Sequence, residues 1–274
     1  MTPMTPAATA SAGAAGTLMI GTDLPVHRLG FGAMRLTGPG VWGAPADRNA
    51  AIRVLRRALE LGVNFIDTAD SYGPGFSEEL IAEALHPYPS GLVIATKGGL
   101  TRPGRGDWER NAHPAHLRAA CEGSLRRLRV ARIDLYQLHA VDPRVPLEDS
   151  LAELTRLQEE GKIRHIGVSN VSTQELARAR RAATVVSVQN RYNLADRSSE
   201  AVLQECARAG IAFIPWFPLG AGRDAAHAQN AIAWLLARSP VMLPIPGTSS
   251  ITHLEENVAA AAVRLSLRDL QALG

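Results

Sequence analysis

The sequence contains very little lysine. Only two of its 29 basic residues are lysines, Lys97 and Lys162, and arginine supplies the rest of the positive charge. The compact ammonium of lysine is not interchangeable with a guanidinium. Because Lys97 ends the apolar segment LVIATK, the sequence indicates that this position needs an ammonium group.

Other absences narrow the class of protein. The chain has two cysteines, Cys121 and Cys206, both in helical patterns beside apolar residues, which favours buried thiols in a cytoplasmic protein over a disulfide framework. No apolar run approaches the ~20 residues that span a bilayer, so we expect no membrane segment. The net charge is only +3 and the arginines alternate with acids along predicted helices, which disfavours a nucleic-acid partner.

The length and the N-terminal composition predict the domain organisation. A chain of 274 residues fits either two small domains or one large barrel. The first 16 residues contain no basic residue and no apolar block, so they do not read as a secretory signal. We expect a disordered tail over residues 1–16 and one folded domain over residues 17–274.

Apolar, β-rich segments alternate with helical patterns along the chain. The strand-like segments are RLGFGAM, NFIDTA, LVIATK, DLYQLH, HIGVSN, VVSVQN, IAFIPW and VMLPIP. Apolar residues at helical spacing predict a helix between Asp47 and Gly62, and two more within residues 117–128 and 147–161. Ser172 and Glu175 form a capping box for the next helix.

Eight such units predict a parallel sheet covered by helices. No G-x-G-x-x-G follows a strand and opens a helix, so a (β/α)8 TIM barrel is favoured over a doubly wound open sheet. A turn at residues 21–23 lies between apolar flanks. It predicts an N-terminal hairpin that closes the barrel floor.

Polar residues recur at the predicted carboxyl ends of the strands, where barrel enzymes place their chemistry. They are Asp67, Lys97, His139, Ser169, Asn170, Gln189, Asn190 and Trp216. Taken singly, each residue also fits a structural role such as a helix cap or a core histidine. Together, on one rim, they indicate an active site.

Tyr72 adds a phenol to this rim, five residues after Asp67. A lysine ammonium roughly 4 Å from a phenolic oxygen would lower its reference pKa of about 10 by up to ~3 units. We therefore expect Tyr72 to titrate near neutrality and to transfer a proton. Asp67 would hold Lys97 charged, and His139 would orient a carbonyl oxygen.

The segments GVNFIDTADSYG, IATKGG, DLYQLH, IGVSN and VQNRYN resemble the signature segments of the aldo-keto reductase superfamily. The resemblance runs from about Leu24 to the C-terminus. It implies hydride transfer from a nicotinamide to an aldehyde or ketone, without a metal. It also implies a catalytic tetrad with Tyr72 as the general acid, made of Asp67, Tyr72, Lys97 and His139.

The resemblance further implies a cofactor site. The residues implied at the nicotinamide end are Ser169, Asn170 and Gln189 at the carboxamide, Trp216 against the ring, and the following Pro218, Leu219 and Gly220. Those implied at the phosphate end are Pro246, Gly247, Thr248, Ser249, Ser250, His253, Glu256 and Asn257. Relatives that strongly prefer NADP carry a lysine and an arginine where this chain has Gly247 and His253. We expect NADPH, held through Thr248, Ser249, Ser250 and His253, with NADH as the alternative.

Two departures from the family pattern bear on the pocket. Only about ten residues separate Gly220 from the helix around Ala231, which implies weaker binding or faster release of the cofactor. The sequence ends at Gly274 without the long tail that covers the substrate in many relatives. We therefore expect an open pocket.

The loops after the strands predict the substrate pocket. Its expected residues are Met34, Arg35, Trp42, Trp108, Tyr192 and Phe217. Tryptophans in glycine-rich loops suit a flat or ring-shaped carbonyl compound, although Trp108 could equally pin its own loop. The segments RLGFGAMRLTGPGVWG and IPGTSSITHLEENVAA are similar to a bacterial branch that includes pyridoxal reductases.

We accordingly expect a monomeric reductase of a small polar aldehyde such as pyridoxal. A sugar or a secondary-metabolite ketone is the alternative substrate. A different class of function also stays open, a cofactor-sensing partner protein with little turnover. That function would need an exposed apolar surface, and no long apolar helix face is left over in the sequence.

Overall fold

The computed structural model describes residues 10–220 and 225–273. The strands are β1 (Thr17–Ile20), β2 (Leu24–His27), β3 (Phe31–Gly32), β4 (Phe65–Asp67), β5 (Val93–Gly98), β6 (Leu100–Thr101), β7 (Glu109–Arg110), β8 (Ile133–Leu138), β9 (Ile163–Ser169), β10 (Val185–Gln189) and β11 (Ala212–Phe213). The helices are α1 (Arg48–Glu60), α2 (Phe76–Leu85), α3 (Pro114–Leu128), α4 (Leu147–Glu159), α5 (Thr173–Ala182), α6 (Glu200–Ala209), α7 (Ala225–Arg238), α8 (Ile251–Ala259) and α9 (Leu267–Leu273). Short 3-10 helices cover Ala12–Ala15, Ala33–Leu36 and Ala260–Ala262.

Seven strands form one parallel sheet in the order β11-β10-β9-β8-β5-β4-β3. Helices lie between successive strands and cover the outer face, as the alternation of patterns predicts. The remaining strands pair as two antiparallel hairpins, β1-β2 and β6-β7. The predicted parallel architecture is therefore confirmed.

Residues 241–246 close the sheet into a barrel. On one side, Phe213 N–H donates to Val241 O at 2.8 Å and Leu243 N–H donates to Phe213 O at 2.9 Å. On the other side, Gly30 N–H donates to Pro244 O at 3.0 Å. This segment was predicted as an eighth strand, but it forms only an isolated bridge to β11. Pro244 and Pro246 lack N–H groups and cannot contribute to a continuous ladder.

The helix ends follow local signals in the sequence. The Asp47 side chain accepts a hydrogen bond from Ala50 N–H at 2.8 Å and begins α1. Ser172 and Glu175 form the predicted capping box at the start of α5. Both caps satisfy N–H groups that have no partner inside the helix, which fixes where each helix begins.

The N-terminal hairpin closes the barrel floor, as predicted. Ile20, Leu24 and Val26 are buried in one cluster with the barrel residues Phe65 and Leu135. Each apolar side chain of this size contributes roughly 1.5–3 kcal/mol when fully buried. The hairpin therefore fills the amino end of the barrel and leaves the carboxyl end for the site.

The predicted boundary of the N-terminal tail is wrong. Ala12–Ala15 form a 3-10 helix, and Ala12 is buried and donates its N–H to Leu61 O at 2.8 Å. Alanine-rich composition did not distinguish a linker from small residues packed against the end of α1. The predicted disorder of residues 1–9 lies outside the described residues.

The search for membrane spans covered the described residues. Among them, no helix combines the length and the apolar character that crossing a bilayer requires.

Gly21 provides a test of the hairpin contact. Its φ is +61°, and a Cβ there would lie 2.6 Å from the His165 ring, which the turn residue Asp23 contacts at 2.6 Å. Gly161 is a matched control, because its φ is +74° and a Cβ there would meet nothing within 4 Å. We expect Gly161→Ala to lower the free energy of unfolding by about 1 kcal/mol and Gly21→Ala by roughly twice as much. Urea unfolding measures both, and equal losses would contradict the packing of the hairpin on β9.

Candidate active site

Three of the predicted catalytic residues occupy the carboxyl ends of neighbouring strands. Asp67 ends β4, Lys97 lies near the end of β5, and His139 directly follows β8. Tyr72 lies in the loop between β4 and α2. Because β4, β5 and β8 are adjacent in the sheet, the fold brings these side chains to one rim.

Lys97 lies at the centre of this group and is fully buried. Its Nζ donates to Asp67 Oδ1 at 2.6 Å, to Thr68 O at 2.8 Å and to Tyr72 OH at 3.3 Å. All three donors of the ammonium therefore have an acceptor. A buried charge of this kind is stable only with such a full set of partners.

Two glutamines fix the Asp67 carboxylate from its other oxygen. Gln137 Nε2 donates to Asp67 Oδ2 at 3.1 Å, and Gln189 Nε2 donates to the same oxygen at 2.8 Å. Gln189 was predicted as a cofactor residue, whereas Gln137 was missed. The signal for Gln137 was a polar residue inside the otherwise apolar strand segment DLYQLH.

The pKa of Tyr72 differs from the expectation of titration near neutrality. Burial raises the pKa of the phenol above its ordinary value, and the charge of Lys97 offsets this only in part. Burial alone would lower the pKa of Lys97, but Asp67 and Tyr72 outweigh it and the net shift is upward. The resting site therefore holds a protonated phenol beside a charged ammonium.

His139 is held neutral at the same rim. Burial lowers the pKa of its imidazole well below the ordinary value, and the charge of Lys97 adds to the shift. Its Nδ1 lies 3.4 Å from Ser71 Oγ, and its ring meets the Tyr72 ring edge-on at 5.8 Å. A neutral imidazole can offer one N–H to a ligand while its other nitrogen accepts a hydrogen bond.

A cavity of about 560 Å³ opens in front of these residues. The predicted residues that line it are Met34, Arg35, Asp67, Tyr72, Trp108, His139, Ser169, Asn170, Gln189, Trp216, Phe217, Pro218, Leu219, Gly220, Pro246 and Gly247. Gly32, Leu100 and Ile245 also line it and were not predicted. Lys97 lies behind the lining and reaches the cavity through Tyr72.

The predicted carboxamide ligands form another part of the cavity wall. Asn170 adopts a left-handed backbone conformation with φ of 57°. Its Nδ2 donates to His139 O and to Ser169 Oγ, each at 3.0 Å, and its Oδ1 accepts from Trp216 Nε1 at 2.9 Å. These bonds fix the indole of Trp216 beside the amide groups, with part of the ring left exposed.

The predicted phosphate-end residues follow Gly247 and lie beyond the main cavity. Thr248 Oγ1 accepts from Ser250 N–H at 3.1 Å, and Ser250 caps α8. Ser249 is exposed and lines a second cavity of about 510 Å³, which shares Met34 and Arg35 with the first. Of the other predicted residues on α8, His253 is exposed, Glu256 half-buried and Asn257 buried.

Two predicted pocket residues lie elsewhere. Tyr192 is fully buried, stacks on Trp234 with ring centroids 5.8 Å apart and hydrogen-bonds Glu200 through its hydroxyl, so it belongs to the core. Trp42 does not line the cavity and packs towards the guanidinium of Arg102. Loop position alone could not tell which side of the loop each ring faces.

The stretch after Gly220 was expected to be short and to weaken cofactor binding. It includes residues 221–224, which lie outside the described residues.

The resemblance implied a reaction without a metal. Within residues 10–220 and 225–273, no cluster of three or more His, Cys, Asp or Glu side chains is arranged to hold a metal ion.

A family profile described as the Aldo/keto reductase family matches residues 28–227 and 223–273. The chain belongs to the aldo/keto reductase family. The fold expected from the resemblance, a single (β/α)8 barrel, is thereby confirmed.

Relatives of this aldo/keto reductase include two curated proteins and a solved structure. An uncharacterized oxidoreductase of Schizosaccharomyces pombe is 51% identical over 267 residues, covering 92% of this chain and 87% of that protein. Pyridoxine 4-dehydrogenase of Escherichia coli is 44% identical over 277 residues, covering 94% and 96%. An aldo/keto reductase of Klebsiella pneumoniae, solved in complex with NADP and acetate, has a TM-score of 0.80 at 30% identity, covering 94% and 93%. The expected likeness to the pyridoxal-reductase-like branch is confirmed.

Asp70, two residues before Tyr72, carries a strongly perturbed carboxyl. Burial raises its pKa to about 8, the charge of Glu78 adds to the shift, and Arg127 opposes it. Its Oδ1 has no hydrogen-bond partner among the described residues. The folded chain of this aldo/keto reductase therefore binds a proton at Asp70 in a pH range where the unfolded chain has lost it.

This shift predicts a pH-dependent stability. Between pH 3.8, the ordinary pKa, and about 8, the free energy of unfolding should fall as pH rises, because the unfolded state binds fewer protons. Asp70→Asn removes this titration, so the parent should lose stability relative to the variant by at most about 1.4 kcal/mol per pH unit. Urea unfolding of both proteins at about pH 5 and about pH 8 measures it. The same stability difference at both pH values would show that Asp70 has an ordinary pKa.

Proposed function

We propose that this aldo/keto reductase reduces an aldehyde to an alcohol with NADPH, and that Tyr72 donates the proton. The observation that carries the proposal is the 3.3 Å contact between Lys97 Nζ and Tyr72 OH at the edge of a cavity. Family membership supports carbonyl chemistry, and the site supplies an acid where a carbonyl oxygen would lie. The E. coli relative is named pyridoxine 4-dehydrogenase, which supports a pyridoxal-like aldehyde as the substrate.

The residues of the cavity fit a nicotinamide cofactor. Gly32 and Gly247 both line the cavity, and a Cβ on Gly247 would lie 2.4 Å from Gly32 O, so this part of the wall is closely packed backbone without side chains. Ser169, Asn170 and Gln189 would hold a carboxamide, and the exposed face of Trp216 would support the ring. When bound, the reduced nicotinamide supplies a hydride to the carbonyl carbon.

Arg35 and the start of α8 fit the phosphates of such a cofactor. A Cβ on Gly247 would lie 3.7 Å from the Arg35 side chain, so this arginine lies towards the cofactor end of the cavity. Ser249 and the N-terminus of α8 would hold the 2′-phosphate of NADPH. The K. pneumoniae relative, solved with NADP, supports this choice over NADH.

The proton step follows from the charges around Tyr72. The phenol is protonated at neutral pH, since its ordinary pKa of about 10 already lies above neutrality and burial raises it further. As it donates, the phenolate that forms lies 3.3 Å from the Lys97 ammonium, an attraction of roughly 5 kcal/mol at an effective dielectric near 20. Lys97 thus stabilises the donor after transfer more than before it, which is what lowers a barrier.

His139 would position the carbonyl oxygen. Its imidazole is neutral, so it adds no second positive charge beside Lys97. With Ser71 donating to Nδ1, the N–H at Nε2 would donate to the carbonyl oxygen. The oxygen would then receive hydrogen bonds from both Tyr72 and His139, which fixes its geometry for proton transfer.

The alternative substrate is a sugar or a secondary-metabolite ketone, and the proposal extends to the cellular compartment and the oligomeric state. Cys121 and Cys206 are buried free thiols, which supports a reducing compartment, the cytoplasm. We propose that the enzyme acts there as a monomer.

Tyr72→Phe tests the proton donor. We expect kcat/KM for aldehyde reduction to fall by roughly 10²- to 10⁴-fold, because the acid is lost while the ring remains. The Kd for NADPH should stay within about twofold. The control is Tyr88→Phe, which removes a hydroxyl bonded to Leu128 O, away from the cavity, and should keep parental turnover. Parental turnover of Tyr72→Phe would show that another group donates the proton.

Ser249→Ala tests the cofactor. Fluorescence titration of the parent should give a lower Kd for NADPH than for NADH. The variant should bind NADPH severalfold more weakly and NADH as before, because only NADPH carries the 2′-phosphate. Tighter binding of NADH by the parent would overturn the choice of NADPH, and an equal loss for both cofactors would remove Ser249 from the phosphate site.

A further inference from the structure

Arg102 lies behind the substrate side of the cavity and is not explained by the reaction above. It follows β6 and is buried, with 8% of its surface exposed. Among the residues that the structure describes, its guanidinium donates only to backbone carbonyl oxygens. These acceptors are Asp107 O at 2.7 Å, Val41 O at 2.8 Å, Gly40 O at 3.1 Å and Ser71 O at 3.3 Å.

These acceptors belong to three different loops. Gly40 and Val41 lie between the 3-10 helix Ala33–Leu36 and α1, Ser71 directly precedes Tyr72, and Asp107 lies in the β6-β7 hairpin. The first two loops are also joined by Gly73 N–H, which donates to Val41 O at 3.2 Å. One side chain therefore connects all three of these loops.

Among the described residues no carboxylate forms a direct ion pair with Arg102, and its close contacts are with carbonyl oxygens and aromatic rings, with the charge of Asp107 acting from farther away. Its guanidinium carbon lies 3.8 Å from the centroid of Trp108 and 5.4 Å from that of Trp42. Burial lowers its pKa, and the charge of the Asp107 carboxylate opposes that shift only in part. The buried guanidinium in turn holds the two tryptophan rings in a fixed position.

Trp108 is the ring of this pair that lines the cavity. It meets the Tyr72 ring edge-on, with centroids 6.3 Å apart and an angle of 76° between the planes. Trp108 is 40% exposed, so burial alone does not fix its ring, and the stacked guanidinium supplies a contact that does. A flat apolar surface beside the proton donor favours a planar substrate, because an aromatic ring can pack along it.

We propose that Arg102 is a positioning residue for substrate selection, which holds Trp108 beside Tyr72 so that the enzyme prefers planar aromatic aldehydes over saturated aldehydes of the same size. This inference rests on the proposed reductase function. It assigns Arg102 no contact with the substrate. The two roles expected for Trp108, fixing its own loop and lining the pocket, are then compatible, because the ring that Arg102 holds is also part of the pocket wall.

The test compares benzaldehyde with cyclohexanecarbaldehyde, which share a ring size and differ in planarity. NADPH is saturating, and the readout is the ratio of the two kcat/KM values. We expect Arg102→Lys to lower the preference for benzaldehyde by roughly tenfold through KM, with kcat nearly unchanged. Lysine cannot reproduce the planar fork that binds four carbonyls and stacks on a ring.

Two further variants separate positioning from general loosening of the loops. Trp108→Leu should lower the same ratio although it keeps all four backbone hydrogen bonds of Arg102. The double variant should show no further loss, because Arg102 acts through Trp108. Arg105→Lys, at an exposed position in the same hairpin, is the matched control and should keep the parental ratio.

The outcomes distinguish this inference from the proposed function. If the parent oxidises NADPH with neither of these aldehydes nor with pyridoxal, the reductase function is wrong and the inference falls with it. If it reduces pyridoxal but neither test aldehyde, the preference proposed for planar aromatic aldehydes is wrong. If the parent reduces both, an unchanged ratio in Arg102→Lys or in Trp108→Leu overturns the role of Arg102 alone. Additive losses in the double variant, or a fall in kcat for both aldehydes, would likewise overturn it by showing a merely structural role.

Discussion

The buried ammonium of Lys97 is the constraint from which the rest of the site follows. A charge with no solvent exposure must satisfy all its donors inside the protein, and it does so with Asp67, Thr68 and Tyr72. Asp67 is fixed in turn by amides from two more strands. The order of strands around the barrel therefore determines where the ammonium lies, and the Tyr72 phenol meets it from the loop after β4.

Much of the fold could be predicted because its signals are local. Asp47 and the pair Ser172 and Glu175 mark helix starts through contacts with their own first turns. The alternation of apolar strands and helices predicts the barrel, since few architectures bury such strands on both faces. The predictions for the N-terminal tail and for the last strand were wrong for physical reasons as well. Composition does not show that Ala12 has a packing site, and prolines remove ladder donors from an apolar segment.

The candidate site was less predictable wherever orientation matters. The polar strand ends indicated the tetrad because parallel strands present their carboxyl ends on one rim. Sequence could not show that Tyr192 faces the core and Trp108 the cavity, since both are aromatic loop residues. Gln137 and Arg102 were missed because Asp67, Val41 and Ser71, which they contact, lie 30 or more residues away in the sequence. The sign of the Tyr72 shift was wrong because charge proximity was considered without the desolvation that accompanies it.

The closure through residues 241–246 also affects what happens if the barrel opens. A broken barrel exposes unpaired strand edges, and such edges recruit strands from other chains. The freed segment would carry Pro244 and Pro246, whose missing N–H groups make it a poor template for further pairing. The same residues that interrupt the ladder thus protect a partly opened molecule from aggregation along that edge.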